Sequence, residues 1–135
     1  HYCVLNIDGG TQSFTVPDGD DEIILTFAMF VLDTSGEGCL DEGFIGYSGI
    51  DVNNQHVRVD VLSAVAGTFE TKSGPVIRNV YLDVDGHAPV LPYNFHYYDL
   101  SPSLVAGGTY TLRFAQSTNF PYLNMGIDNV SVRSR

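Results

Sequence analysis

A chain of 135 residues with 44% apolar content has material for one hydrophobic core and buries roughly two thirds of its unfolded surface. Sixteen acids against six Lys and Arg give a formal charge of −10, which repels phosphate backbones and argues against a nucleic-acid partner. The longest apolar run, Ile23–Leu32 with Thr26 inside it, falls short of the roughly 18 residues a membrane-spanning helix needs.

In chain order, Tyr2–Asn6 reads as a short N-terminal strand, set off by Gly9 and Gly10. Ser13–Val16 is a second, ended by the turn residues Pro17, Asp18, Gly19 and Asp20. Glu22–Leu32 is a long, mostly buried strand, and residues 33–51 form a polar, Gly-rich loop. Gln55–Leu62 alternates, with Val57, Val59 and Val61 expected inward and His56, Arg58 and Asp60 outward. Ile77–Val84 and Tyr93–Tyr98 repeat that pattern, and the Asp85-Gly86 and Gly107-Gly108 pairs supply turns.

The last quarter carries the strongest alternation. Tyr110, Leu112 and Phe114 precede a turn at Asn119–Tyr122, and Gly126–Val132 closes the chain, so a C-terminal hairpin is expected. Tyr110, Leu112, Phe114, Ile127 and Val130 are core candidates. Outside the uniformly apolar Ile23–Leu32 run, apolar residues do not keep helical spacing over a window free of Gly and Pro. The expectation is one all-β domain over residues 1–135, an antiparallel β-sandwich of jelly-roll type with almost no helix.

Cys3 and Cys39 are the only cysteines. An even pair in a small, acidic, β-rich chain points to a disulfide formed in an oxidising compartment. Within one chain it would close a loop of about 36 residues and stabilise by about 3–4 kcal/mol; between two chains it would favour assembly. Two cysteines fall short of the four ligands a zinc site normally takes. No charged start with an apolar stretch behind it is present, so a processed, secreted form is expected.

Six stretches resemble a known family. They are Tyr47-Ser48-Gly49-Ile50-Asp51 with Asn53-Asn54-Gln55 and the Val57–Leu62 strand, Asp99-Leu100-Ser101, Tyr110–Ala115, and Met125–Ser131. From Tyr47 to Val132 the chain resembles secreted bacterial domains of the galactose-binding-like jelly-roll type, found in exported proteins with PEP-CTERM sorting tails. The resemblance implies an extracellular or cell-surface location and a carbohydrate-binding-like role. The chain ends on Ser134-Arg135 with no anchoring tail, so retention at the surface does not carry over.

Catalytic signals are sparse. There is no Gly-x-Ser-x-Gly elbow, Ser48 reads as an ordinary turn serine, and none of the sixteen acids forms a marked pair. A non-enzyme is expected. His1 offers an α-amine and an imidazole, a two-nitrogen chelate that could take copper with His56, His87 or His96. Calcium fits better, because Asp18, Asp20, Asp21 and Glu22 crowd one loop and Asp83 and Asp85 another. Neither run fits an EF-hand, and a solvated acidic turn is the alternative. The resemblance implies a structural calcium between an early loop and the closing strand, here Asp18, Asp20 or Glu22 with Asp128.

Sugars stack on aromatic faces and bond to polar side chains nearby. Tyr93, Phe95 and Tyr97 share one strand face and His96 and Tyr98 the other. With the core expected to take the first face, His96 and Tyr98 are left as ligand-binding candidates, joined by Phe120 and Tyr122 from a late loop. The absence of Trp favours soluble or acidic glycans over a flat crystalline polysaccharide. The alternative function is a self-assembling subunit of an extracellular filament or matrix, pairing through sheet edges or the N-terminal strand. Asn129-Val130-Ser131 matches a glycosylation sequon, read as structural because it lies in a closing strand.

Overall fold

Strands form where the alternation lies. The computed structural model describes residues 2–5, 12–19, 22–33, 55–83, 93–118 and 123–135. Its strands are β1 (Tyr2–Leu5), β2 (Gln12–Thr15), β3 (Ile23–Asp33), β4 (Gln55–Ser63), β5 (Val76–Asp83), β6 (Asn94–Asp99), β7 (Thr109–Thr118) and β8 (Leu123–Ser134). Among the described residues one 3-10 turn, Ser101–Ser103, is the sole helical element.

The strand ladders are antiparallel and make two sheets. One runs β1-β7-β4-β5, with β2 also on β7; the other runs β6-β3-β8. Strands β1 and β2 share the same edge of β7, at Phe114–Ser117 and Thr109–Leu112. The N-terminal strand is therefore docked on its own chain. Backbone pairing sets Cys3 opposite Gln116, while Cys39 lies outside the described residues, as do the turns at Asp85-Gly86 and Asn119–Tyr122 and, apart from Asp33 at the end of β3, the loop expected at residues 33–51.

The sheets meet across one apolar core. From β3 come Ile23, Leu25, Phe27, Met29 and Val31; from β4, Val57, Val59 and Val61; from β7, Tyr110, Leu112 and Phe114. Phe27 and Phe114 meet edge to face across the layers at 5.1 Å between ring centroids. Each fully buried ring contributes about 1.5–3 kcal/mol through area removed from water. The Tyr110 hydroxyl accepts the Val105 N–H at 2.9 Å, bracing the turn in which Gly107 takes φ +73°.

The expected C-terminal hairpin is corrected. Strands β7 and β8 belong to different sheets, and β8 pairs with β3 from Ile23↔Ser134 to Asp33↔Leu123. Alternation reports that each strand has one buried face; it is silent on which strand is the partner. Both inner faces meet in the same core from opposite sides, which a flat hairpin would not allow.

A bulge then sets the faces of β8. Between Thr26↔Ser131 and Ala28↔Asp128, β8 spends one residue more than β3. Asn129 sits there at φ +54°, a left-handed conformation Asn tolerates better than most residues, and its N–H donates to Asp128 Oδ1 at 2.8 Å. Met125 and Ile127 face the core before the bulge and Val130 and Val132 after it. The extra residue flips the parity, so Ser131 and Arg133 face outward.

The outward side chains of β4 are not solvated. His56, Arg58 and Asp60 are buried, as is Arg113 on β7. Asp60 Oδ2 accepts Arg58 Nε at 2.8 Å and Arg113 Nε at 3.1 Å, with Arg113 Nη2 also bonded to it. Asp60 Oδ1 accepts Arg58 Nη2 at 3.0 Å and Asn79 Nδ2 at 2.8 Å. Arg113 Nη1 donates to the carbonyls of Thr68 at 2.9 Å and Glu70 at 2.6 Å, in the β4–β5 connection. Burial pushes the Arg113 guanidinium below its ordinary pKa, and the Asp60 carboxylate pulls it back.

Candidate functional site

The outer face of the three-stranded sheet carries a groove of about 600 Å³. Its floor is the outward side of β3, Ile24 and Thr26. Register sets two full rows across it: Tyr97, Thr26 and Ser131, then Asp99, Ile24 and Arg133. One wall is aromatic, Phe95 and Tyr97 on β6; the other is polar, led by Asn129, Ser131, Arg133 and Arg135.

Phe95 is 70% exposed, Tyr97 54% and Tyr93 49%. Tyr93 meets Phe30 edge to face at 4.9 Å, and Phe30 in turn lies across Gly126, where no Cβ intervenes. The polar wall exists because of the bulge. Without the extra residue at Asn129, Ser131 and Arg133 would point into the core. Arg133 Nε donates to Ser131 Oγ at 2.9 Å, tying two wall residues together.

This reverses the expected faces of β6. His96 and Tyr98, named as ligand-binding candidates, turn inward. His96 stacks on Phe27 at 4.8 Å and 11°, and Tyr98 on the same ring at 5.9 Å and 21°. Tyr81 of β5 closes on the imidazole edge-on at 5.5 Å, and Tyr98 Oη lies 3.4 Å from His96 Nδ1. Burial holds the His96 pKa below its ordinary value and raises that of Tyr98. Flat imidazole and phenol rings thus serve as core packing, while the three aromatics assigned to the core face solvent. Phe120 and Tyr122 lie outside the described residues. Phe95, Tyr97, Ser131 and Arg133 went unrecognised; the available signal was two of six basic residues on alternate positions at the end of the last strand.

No family model, curated protein or solved structure matches the chain. The groove therefore has to be read from its own chemistry. Its lining holds no thiol, imidazole or side-chain carboxylate, so the hydroxyls of Thr26, Tyr97 and Ser131 have no base beside them among the lining residues. What it can do is hold: an apolar ring face on one side, donors and acceptors on the other.

The metal expectations fall as follows. Asp18 and Glu22 lie exposed at the β2–β3 turn, with Asp18 Oδ1 beside Gly107; Asp20 and Asp21 are outside the described residues. Asp128 stands opposite Ala28, five residues along β3 from Ile23, about 17 Å at strand rise. Among the described residues no three His, Cys, Asp or Glu gather around a common point. For copper, His1 and His87 lie outside the described residues; His56 sits on the outer side of β4 and His96 on the inner side of β6, in different sheets.

Proposed function

We propose that this chain is a non-catalytic, extracellular saccharide-binding module, built as a jelly roll of the galactose-binding-like type, with its ligand on the outer face of the β6-β3-β8 sheet. The jelly-roll reading is supported by strands that alternate between layers from β2 to β8, with only β4–β5 consecutive within one sheet. The binding reading rests on one observation: Phe95 and Tyr97 stand exposed along one wall of the groove, facing Asn129, Ser131 and Arg133 across Ile24 and Thr26. A pyranose has the same two-sidedness, an apolar C–H face and an edge of hydroxyls.

A glycan array on the purified chain, followed by calorimetry on each hit, tests this. Phe95→Ala and Tyr97→Ala are expected to weaken binding about tenfold or more, near 1.4 kcal/mol, while leaving the melting temperature within about 2 °C because both rings are largely exposed. A silent array, or hits indifferent to both substitutions, refutes it. Sedimentation in parallel reads out the alternative, since concentration-dependent polymer with a silent array is the result the matrix-subunit reading requires.

A further inference from the structure

Resting on the saccharide reading above, we infer that the groove selects anionic saccharides, chains carrying carboxylate or sulfate groups, through Arg133 and Arg135. The charge arithmetic is the first argument. Acids outnumber Lys and Arg sixteen to six in this chain, yet the groove is lined by two arginines and no carboxylate. The second argument is what the other basic residues do. Arg58 and Arg113 are committed to the buried Asp60, and Arg78 donates to the Asp99 carbonyl. Among the described residues no carboxylate lies within ion-pair distance of Arg133 or Arg135. Asp128 is occupied by the Asn129 N–H and Asp99 by the Ser101 N–H at 2.9 Å, while Glu22 exchanges both backbone hydrogen bonds with Arg135, so Arg133 is the cation set furthest from a free carboxylate.

Geometry adds the third argument. Arg133 and Arg135 sit on alternate positions, about 7 Å apart at strand rise, on the wall opposite the aromatic rings. Arg133 anchors its Nε on Ser131, which leaves the terminal guanidinium nitrogens directed away from that bond and suited to a planar carboxylate. A sugar ring laid against Phe95 or Tyr97 would carry its acidic substituent toward that fork. Against the overall negative charge, a groove lined by arginines is where an anion meets attraction, while most of the remaining surface repels it.

Calorimetry with three ligand sets decides it: an oligogalacturonate, a sulfated dextran oligomer and a neutral galacto-oligosaccharide, each titrated into wild type, Arg133→Gln and Phe95→Ala. The expected result is that an anionic set binds at least about tenfold tighter than the neutral one and loses about tenfold in Arg133→Gln. Its affinity should also fall as ionic strength rises from about 0.01 to 0.15 M, where the Debye length shrinks from about 30 to 8 Å. Preference for the uronate over the sulfate identifies the carboxylate as the group recognised, and the reverse identifies the sulfate. Equal binding of the neutral set with no effect of Arg133→Gln overturns the anionic inference and leaves the saccharide reading standing. No binding of any set, by wild type, overturns both. The salt series on wild type needs no variant, so a folding defect in Arg133→Gln does not block the answer.

Discussion

Replacing Asp60 by Asn isolates the charge at the centre of the five-stranded sheet. The carboxylate is fully buried and takes five donated hydrogen bonds, two from Arg58, two from Arg113 and one from Asn79. Asn keeps the shape and one acceptor oxygen but sets an N–H₂ donor against guanidinium donors, leaving two buried cations without an anion. Charge-assisted bonds at 1.5–3 kcal/mol each would sum to more than about 7 kcal/mol, an overestimate because the bonds share one carboxylate and do not add. Breaking a buried ion pair by removing one partner costs about 3–5 kcal/mol, and that is the expected loss. At this chain length it corresponds to a fall in melting temperature of roughly 10–20 °C. Urea unfolding followed by circular dichroism, with equal slopes for both proteins, measures it directly. A loss below about 1 kcal/mol would refute the buried network as drawn. The triple variant Arg58→Met, Asp60→Leu, Arg113→Met supplies the control. It should recover at least half of the loss, since an apolar replacement removes the stranded charges, though the Thr68 and Glu70 carbonyls still lose their donor.

At Gly126, substitution by Ala drives a Cβ into the Phe30 ring, so a loss of about 1–3 kcal/mol is expected in the same assay; a neutral result would mean the ring does not lie there. Asn129→Gly should hold or slightly raise stability and Asn129→Val should lower it by about 1–2 kcal/mol, because a β-branched residue resists φ +54°. Equal stability of the two variants would speak against the bulge. Among the described residues, three groups contribute a pH dependence. His96 has a folded pKa below its ordinary value of about 6.5, so the unfolded chain binds the proton first and stability falls as pH drops through that value. Glu70 and Asp99 are held low chiefly by hydrogen bonds from Lys72 and Ser101; their contributions persist above the ordinary carboxylate range and are lost as pH falls through their folded values. His96→Phe should flatten the first step, between about pH 7 and 5, in melting temperature against pH. An unchanged profile would show that the imidazole is not packed on Phe27.

The amino-acid sequence by itself determined the strands and the aliphatic part of the core. Period-two alternation marks Gln55–Leu62 and Tyr110–Phe114 without ambiguity; the first six expected strands fall within one residue of the observed ones, while β7 runs four residues past Phe114 and β8 begins three before Gly126. Faces and partners were another matter. Alternation divides a strand into two sets and does not say which set is inside when both contain large rings: Tyr93, Phe95 and Tyr97 against His96 and Tyr98. Only the assembled sheets decided it, by setting Phe27 and Tyr81 where imidazole and phenol could stack and leaving the other face over the short side chains of Thr26 and Ala28. In the same way, the sheet joined by β8 and the parity shift at Asn129 depend on pairing with β3, nearly a hundred residues earlier in the chain. Arg58, Asp60 and Arg113 alternate like solvated residues and are buried, because each supplies the others' missing charge. The groove is made of these tertiary outcomes: an aromatic face left over by the core and two arginines turned outward by one extra residue.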